Sequence, residues 1–436
     1  MTHDRIFRLV PLALLCLLVA LPLAAGAQDA PIQFAAVQQV TPVLADTAGL
    51  LQPLPTPPGR DVFNMAWSND GQLLAMVVYD EEYRARLFVT GPSSEQVVEL
   101  PTGGLEAGFG VAFTPEGNIL YAAEGQFPAD FSGPPTVEIR QIAPDASATP
   151  VTLGQFEHVV GCGGGSPIPA DWQIWSESGF GGSYLTLQWT PLGIVHSTSC
   201  SGGSSSILDP VTGEDRPLGP TFDQSDMTSG GPITRLVVSP DGTKAAGVRF
   251  RYEGNQAISS LVLIDLASGE VTDVATAGQP DQLLWGRDGT IYYSTRTPSR
   301  DVSANLSDKD RALLSQSLGY MDPAEMTELT AYTVDIHRFA PFMGGDDLFL
   351  TLDAYAVGRM QQAADGTLVF SVIPNLDAWA QAIVSGQLEL AADTNGDLQR
   401  ALVPISVYMH VPGESAPALV GVNLEQFELR PEVAAG

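Results

Sequence analysis

The segment VSPDGTKAAGVRF, from Val238 to Phe250, contains the pattern that sets the fold of this chain. A Ser-Pro-Asp-Gly turn joins two mostly apolar runs, and its glycine can adopt the positive φ that such a tight turn requires. The second run alternates small or apolar residues with polar ones, which is typical of a strand. A third strand, another turn and a fourth strand follow in SLVLIDLASGEVTDV, residues 260–274. These segments predict one unit of four antiparallel strands.

Copies of this unit recur along the chain. Their turn glycines are Gly71, Gly117, Gly193, Gly242, Gly289 and Gly366. The successive spacings are 46, 76, 49, 47 and 77 residues, so three share one period and two carry an insertion. Four-stranded units at a period in the forties are typical of propeller blades rather than of solenoid coils. The sequence therefore predicts an all-β, six-bladed β-propeller of four-stranded antiparallel blades with short helical insertions.

The repeated core also resembles a known family. The apolar–Ser-Pro-Asp-Gly–apolar pattern followed by LVLIDLASGE is similar to the WD40-like repeats of TolB-type β-propellers, over residues 61–430. The resemblance implies a fold and no particular activity, because propellers of this kind serve unrelated functions. TolB-type proteins carry an α/β domain before the propeller, for which residues 28–60, rich in Pro and Ala, are too short. We interpret residues 28–60 as a linker, with residues 32–37 as a candidate ring-closing strand.

The N-terminal segment has the pattern of an export signal. Arg5 and Arg8 precede the apolar run of residues 9–25, and small residues end it at Ala27. We therefore expect residues 1–27 to be a signal peptide and the protein to be periplasmic, on the cell surface or secreted. No membrane insertion is expected after cleavage. A retained anchor is the alternative, because the run approaches the shorter spanning lengths.

Composition narrows the range of partners. The chain has 50 acidic and 20 basic residues, a formal net charge of −30, and 44% hydrophobic residues. Such a negative surface repels phosphate backbones, so we expect no nucleic-acid binding. Attraction of cations or basic partners and simple solubility are both compatible with this charge. Cys162 and Cys200 are expected to form a disulfide in an exported chain, a metal-binding or reactive thiol pair being the alternative.

Three insertions are expected on the propeller face opposite the Asp-Gly turns, called here the insertion-bearing face. They are residues 158–183, 307–326 and 375–386. Because extra loops on one face of a scaffold usually serve recognition, we expect binding there. The candidate binding residues in the insertions and neighbouring loops are Trp172, Trp175, Asp80, Glu82, Arg251, Tyr252 and Trp379. The alternatives are that the tryptophans only pack against the propeller and that the charged residues are ordinary solvated loop residues.

The signals for metal binding and catalysis are weak. Asp393, Asn395 and Asp397 alternate oxygen donors as calcium loops do, which makes Ca²⁺ a candidate cofactor. Leu398 and Pro404 occupy the positions where an EF-hand needs a glycine and an acid, so a polar turn is the alternative. Neither a His-Glu-x-x-His nor a Gly-x-Ser-x-Gly motif is present.

The leading functional hypothesis from the sequence is an exported, non-enzymatic binding or scaffold module. Its partner would be a protein, peptide or glycan held at the insertion-bearing face. One alternative is a divalent-cation-dependent propeller hydrolase or lyase with its site at the central channel. Another is a structural module of an envelope or surface assembly.

Overall fold

The computed structural model describes residues 31–38, 41–58, 61–80, 84–102, 106–124, 136–157, 185–198, 205–219, 231, 233–253, 256–317, 330–341, 344–388 and 401–432. Within them, seven four-stranded sheets are formed. The first three strands are β1 (Gln33–Gln38), β2 (Thr41–Asp46) and β3 (Leu51–Pro53). None of the described helices is long and apolar enough to cross a bilayer.

Six blades are each built from four consecutive strands. Blade 1 holds β4 to β7 (Asp61–Trp67, Leu74–Tyr79, Ala85–Thr90, Val98–Leu100) and blade 2 holds β8 to β11 (Glu106–Phe113, Ile119–Glu124, Thr136–Ile142, Val151–Glu157). Blade 3 holds β12 to β15 (Leu185–Thr190, Gly193–Thr198, Ser205–Leu208, Asp215–Pro217) and blade 4 holds β16 to β19 (Ile233–Val238, Lys244–Glu253, Gln256–Asp265, Val271–Val274). Blade 5 holds β20 to β23 (Pro280–Trp285, Ile291–Asp301, Thr330–Phe339, Asp346–Asp353) and blade 6 holds β24 to β27 (Ala356–Gln362, Leu368–Ile373, Ser406–His410, Ala418–Val422).

The turn that joins the first two strands of a blade has the conformation its sequence predicts. In blade 4, the Ser239 hydroxyl donates to Asp241 at 2.6 Å, and the Lys244 backbone N–H donates to the Ser239 hydroxyl oxygen at 3.0 Å. Gly242 has a φ of +69°, and the other five turn glycines also have positive φ. The prediction of tight glycine turns at these six positions is confirmed, because only glycine adopts this backbone without strain.

The prediction of six blades is wrong, because the structure has seven. The last strand, β28 (Leu424–Leu429), pairs with β1 to make a sheet in the order β28-β1-β2-β3. Phe34 lies opposite Leu429, Ala36 lies opposite Phe427, and the two phenylalanine rings meet edge to face with centroids 6.1 Å apart. In the other blades a hairpin turn joins the first two strands. In this blade the first two strands are β28 and β1, from opposite ends of the chain, so its sequence has no Asp-Gly turn to reveal it. Residues interpreted as linker therefore supply three strands.

The innermost strands, β4, β8, β12, β16, β20, β24 and β28, form a closed ring. Successive inner strands contact one another around the ring, with β16 reaching blade 3 through β13, and β28 contacts β4. Buried apolar side chains fill the spaces between successive blades, as Ala246, Leu261 and Tyr293 do between blades 4 and 5. Each blade is thus held by its two neighbours.

Two helical insertions pack together above blades 5 and 6. A 3-10 helix (Val302–Asn305) and helix α1 (Asp308–Ser317) follow the second strand of blade 5, and helix α2 (Asp377–Val384) follows the second strand of blade 6. Ser307 caps α1 by accepting the Asp310 backbone N–H at 3.2 Å. Helices α1 and α2 contact each other. The insertion expected at residues 158–183 lies outside the described residues.

Candidate functional site

The inner strands surround a cavity of about 640 Å³ along the axis of the propeller. All seven inner strands contribute residues to its wall. Because side chains alternate along a strand, each inner strand directs every second residue toward the axis and packs the residues between them against neighbouring blades. Met65, Leu236 and Phe427, for example, are buried between blades. The sequence of each inner strand thus divides into channel and core positions.

The channel positions form two rings, which we call the polar ring and the second ring. The polar ring consists of Asn64, Thr186, Arg235, Gln282, Arg359 and Gln426. The second ring consists of Ala66, Ala112, Gln188, Val237, Leu284, Gln361 and Glu428. The inner strands of blades 1 to 6 run toward their turns from the opposite face, and each member of the polar ring comes two residues before the second-ring residue of its strand. The polar ring therefore lies nearer the insertion-bearing face.

Backbone irregularities coincide with the polar ring. The pairing of β16 with β17 shifts register between Thr234 and Val237, and that of β24 with β25 shifts between Val357 and Met360. Arg235, inside the first of these bulges, has a φ of +55°, a left-handed conformation that costs a residue with a side chain about 1–2 kcal/mol. Bulges re-aim side chains, and strained residues cluster at functional sites. The channel mouth carries both features.

A buried charge cluster supports one side of the polar ring. A terminal nitrogen of Arg235 donates to Asp281 Oδ1 at 2.6 Å, and Arg296 Nε lies 3.0 Å from Asp281 Oδ2. Burial works to raise the pKa of Asp281, but Arg296 and Arg235 more than offset it and hold this pKa below its usual range. Asp281 is therefore ionised, and two guanidinium groups share its single negative charge.

Aromatic rings hold Arg296 in place. Its guanidinium carbon lies 5.3 Å from the ring centroid of Tyr332 and 5.7 Å from that of Tyr355. Burial raises the pKa of Tyr355 to about 12, so the phenol is neutral and its face is available for a cation–π contact. These contacts connect the charge cluster to the blade that carries α2.

A second ion pair lies across the junction of blades 6 and 7. Arg359 forms a salt bridge with Glu428, and the Gln361 amide donates to the same carboxylate at 2.8 Å. The Gln361 side-chain oxygen accepts the Leu429 backbone N–H at 2.6 Å. Glu428 is therefore neutralised and fixed in position, and both ends of the Gln361 amide are engaged.

Hydrogen-bond donors of two residues in the cavity wall are buried without a partner among the described residues. They are the side-chain amide nitrogen of Gln282 and the indole nitrogen of Trp285. Gln282 is 7% exposed and Trp285 is 6% exposed. Buried polar groups are nearly always hydrogen-bonded, and one left unsatisfied costs about 1–3 kcal/mol. Both residues contribute to the cavity wall, but the two nitrogens themselves are occluded from the open space.

Three of the candidate binding residues from the sequence have described side chains, and none of the three is among the residues that line the cavity. Asp80 forms ion pairs with Arg84 at 3.0 Å and Arg86 at 3.2 Å within blade 1. Arg251 is half-buried in β17, and Trp379 is 1% exposed in the apolar cluster under α2. The remaining candidate side chains lie outside the described residues: Trp172, Trp175, Glu82, Tyr252, Asp393, Asn395, Asp397, Cys162 and Cys200.

Sequence reasoning missed the polar ring, although a positional signal exists. Five of its members lie seven positions before the turn glycine of their own blade: 64 before 71, 186 before 193, 235 before 242, 282 before 289 and 359 before 366. The same position in blade 2 is Gly110. Aligning the repeats on their turn glycines would have revealed a polar column inside otherwise apolar strands.

Histidine and acidic side chains do not converge in the part of the chain that the structure describes. No group of three or more His, Cys, Asp or Glu side chains suited to a metal ion occurs there. His196 lies 2.8 Å from Asp215 in blade 3, and His337 lies 3.6 Å from Asp346 in blade 5. These pairs belong to separate blades: the first spans β13 and β15 across β14, and the second joins the adjacent strands β22 and β23.

Comparison with known proteins supports the architecture. No protein-family model and no curated protein matches the chain. Among solved structures, a candidate 6-phosphogluconolactonase from Bacteroides uniformis is similar, with a TM-score of 0.50 and 12% identity over 92% of this chain and 100% of that one. TolB from Acinetobacter baumannii has a TM-score of 0.39 and 15% identity over 72% of this chain and 65% of its own. At these identities the likeness concerns the fold alone.

Proposed function

We propose that this protein is an exported, non-enzymatic binding propeller whose ligand enters through the insertion-bearing face and seats at the polar ring. One observation carries the proposal: six hydrogen-bonding side chains, one from each of six inner strands, converge on a cavity of about 640 Å³. The ligand is a glycan, a peptide or a segment of a protein, because a folded domain is larger than the cavity.

The side chains of the polar ring favour binding over catalysis. Amides, a hydroxyl and guanidinium groups donate and accept hydrogen bonds, but they include no general base or activated nucleophile. Thr186 donates to the Ser197 backbone carbonyl at 3.3 Å, with no base beside it among the described residues. A non-catalytic recognition site is the simplest role for this set.

The cation-dependent alternative finds little support in these side chains. A divalent cation needs several oxygen or imidazole ligands, whereas the polar ring carries two arginines that repel it. Glu428, an acid in the cavity wall, is engaged by Arg359 and Gln361. A hydrolase or lyase of this type would require ligands from outside the described residues.

Export is part of the proposal and rests on the N-terminal sequence. The arginines before the apolar run and the small residues at its end have the pattern of a cleaved signal. We place the propeller outside the cytoplasm, where its charge of −30 keeps it soluble.

The proposal is tested by thermal unfolding with a panel of defined saccharides and short peptides. A compound present at a concentration of a hundred times its Kd adds about 2.7 kcal/mol to the free energy of unfolding. We expect at least one compound to raise the Tm of the wild type and the Tm of Gln72→Leu. The same compound should leave the Tm of Gln282→Leu unchanged. Gln72 is the matched control, because it is an exposed glutamine beside the turn of blade 1 on the opposite face.

Two results would contradict this function. One is a panel in which no compound shifts Tm, or in which Gln282→Leu responds like the wild type. The other is a calcium-dependent rise in Tm, reversed by EDTA and accompanied by turnover of a panel compound, which would favour the cation-dependent enzyme.

A further inference from the structure

We propose that the outer edge of blade 5, strand β23, binds an extended peptide segment of another protein as a fifth strand of the blade. The segment that fits this edge has apolar side chains in its middle and a basic side chain at each end. This site goes beyond the polar ring, because β23 is the strand of blade 5 farthest from the channel.

Strand β23 differs from the other outer strands in length. It has eight residues, whereas β3, β7 and β15 have three, β19 has four, β27 has five and β11 has seven. Short edge strands are one means by which proteins prevent pairing with other chains. Among the described residues, β23 pairs only with β22 and ends its sheet. It is therefore the longest open edge in the part of the propeller that is described.

The backbone of β23 directs hydrogen-bonding groups away from the blade. The Ala354 backbone N–H, just after the strand, donates to the Tyr332 carbonyl of β22 at 3.2 Å, and the pairing is regular from there back to Thr351. In an antiparallel pair, the groups of successive residues point alternately to the partner strand and to the open side. Thr351 and Asp353 therefore direct their backbone N–H and C=O groups outward, where an added strand can pair with them.

The middle of β23 is apolar on both faces. Leu348 lies opposite His337 and Leu350 lies opposite Ile336, and because His337 and Ile336 are consecutive in β22, the two leucines are on opposite faces of the sheet. Leu350 and Leu352 are half-buried against the apolar cluster between blades 5 and 6. Leu348 is 58% exposed. Apolar side chains of an added strand therefore have cross-strand partners on both faces.

Acidic side chains flank this apolar tract. Asp346 and Asp347 precede it, and Asp353 follows it. Of the three residues opposite them in β22, only Arg338, opposite Asp347, carries a charge. Asp353 accepts a hydrogen bond from the neutral Asn375 amide at 2.7 Å, which leaves its negative charge in place. Because opposite charges across a strand pair are favourable, a basic residue near each end of the added strand complements β23.

A second copy of this chain does not complement the same edge. In a centred antiparallel pairing of two β23 strands, Asp346 of each copy would lie opposite Asp353 of the other, and like charges directly opposite destabilise a sheet. Each chain also carries a net charge of −30, so two copies repel each other. The occupant is therefore a basic segment of a different protein.

Isothermal titration of the full chain with a designed peptide tests the proposal at fixed ionic strength. The probe is acetyl-Lys-Val-Thr-Val-Thr-Val-Lys-amide, whose pattern is the same in both directions and so allows parallel and antiparallel addition. The matched control peptide has Glu in place of each Lys. We expect the lysine peptide to bind about tenfold more tightly or better, because its ends complement the aspartates of β23.

Two variants of one residue separate the backbone from the side chain. Thr351→Pro removes an outward N–H that the native ladder does not use, and edge strands accept proline where the N–H faces solvent. We expect this variant to bind the lysine peptide about tenfold more weakly or worse. Thr351→Val is the matched control, because it loses the same hydroxyl but keeps the N–H, and it should bind like the wild type. A circular dichroism melt verifies that each variant is folded.

Methylated peptides test the same hydrogen bonds without altering the protein. One peptide is N-methylated at its valines and the other at its threonines. Because alternate residues of a strand face its partner, we expect one of the two to lose binding and the other to retain it. This measurement decides the question even if Thr351→Pro does not fold.

Three results would overturn the proposal. The first is that the lysine peptide does not bind the wild type. The second is that folded Thr351→Pro, or both methylated peptides, show unchanged binding, which would indicate general attraction to an acidic surface. The third is self-association of the wild type in sedimentation that Thr351→Pro abolishes, which would assign the edge to a second copy.

The polar ring is tested separately by Gln282→Leu. We expect this variant to bind the lysine peptide like the wild type, because Gln282 lies in an inner strand and the edge is at the circumference. If Gln282→Leu weakens the peptide and Thr351→Pro does not, the peptide binds in the channel. The edge proposal then fails while the proposed function stands.

Discussion

Removing the aromatic contact between the chain ends tests how the ring closes. Phe34 in β1 and Phe427 in β28 are fully buried and pack with Val43, Val369 and Val407 in one apolar cluster. Replacing either phenylalanine by alanine deletes a buried ring, which costs about 3–5 kcal/mol. If residues 28–60 were only a linker, Phe34→Ala would cost less than about 0.5 kcal/mol. The two architectures thus predict effects that differ severalfold.

A double-mutant cycle isolates the contact itself. The rings meet edge to face at 6.1 Å, and such pairs contribute about 0.5–1.5 kcal/mol beyond the area they bury. We therefore expect the Phe34→Ala and Phe427→Ala costs to add up to about 0.5–1.5 kcal/mol more than the cost of the double variant. The assay is urea unfolding followed by both fluorescence and far-UV circular dichroism, whose coincidence verifies two-state behaviour.

A matched control makes the result specific to the buried pair. Leu51 lies in β3 of the same blade and is 47% exposed, so Leu51→Ala should change the free energy of unfolding by less than about 0.5 kcal/mol. The closure described here is refuted if Phe34→Ala is as mild as Leu51→Ala, or if the cycle gives no coupling.

Three further predictions concern a turn, the charge cluster and an insertion. Gly242→Ala should lower Tm more than Gly117→Ala, because a Cβ at Gly242 would clash with the Pro191 ring whereas nothing lies within 4 Å at Gly117, and both share the strain of positive φ. Asp281→Asn should cost about 3–5 kcal/mol in urea unfolding, because it leaves two guanidinium groups without their carboxylate. Burial works to raise the pKa of Asp281, but its two guanidinium partners hold this pKa low. The contribution of the Asp281 carboxylate to stability is therefore complete above the unfolded pKa of about 4 and is lost as pH falls through the folded value. The free energies of unfolding of the wild type and of Asp281→Asn should converge in acid when they are measured over a pH series. Trp379→Ala should cost about 3–5 kcal/mol in the same assay, since a role in exposed recognition predicts no such loss.

Local sequence determined the blade and its turn. Asp-Gly and related turns require positive φ at one glycine, and this requirement is satisfied within a few residues whatever the rest of the chain does. The six turn glycines and the four-stranded unit were therefore predictable. The capping box at Ser307 and Asp310 was predictable for the same reason, because both partners lie in one turn of chain.

Long-range pairing decided what the sequence could not show. The seventh blade depends on Phe34 and Leu429 meeting across almost the whole chain, and no local turn announces that pairing. The channel mouth depends on one residue from each of six strands, and the bulge that holds Arg235 at a positive φ arises only in the assembled sheet. Hairpins are set by neighbours in sequence, whereas closure and convergence are set by which strands share a sheet and an axis. For this reason the sequence alone determined the repeating unit, and the tertiary structure decided the number of units and the cavity they enclose.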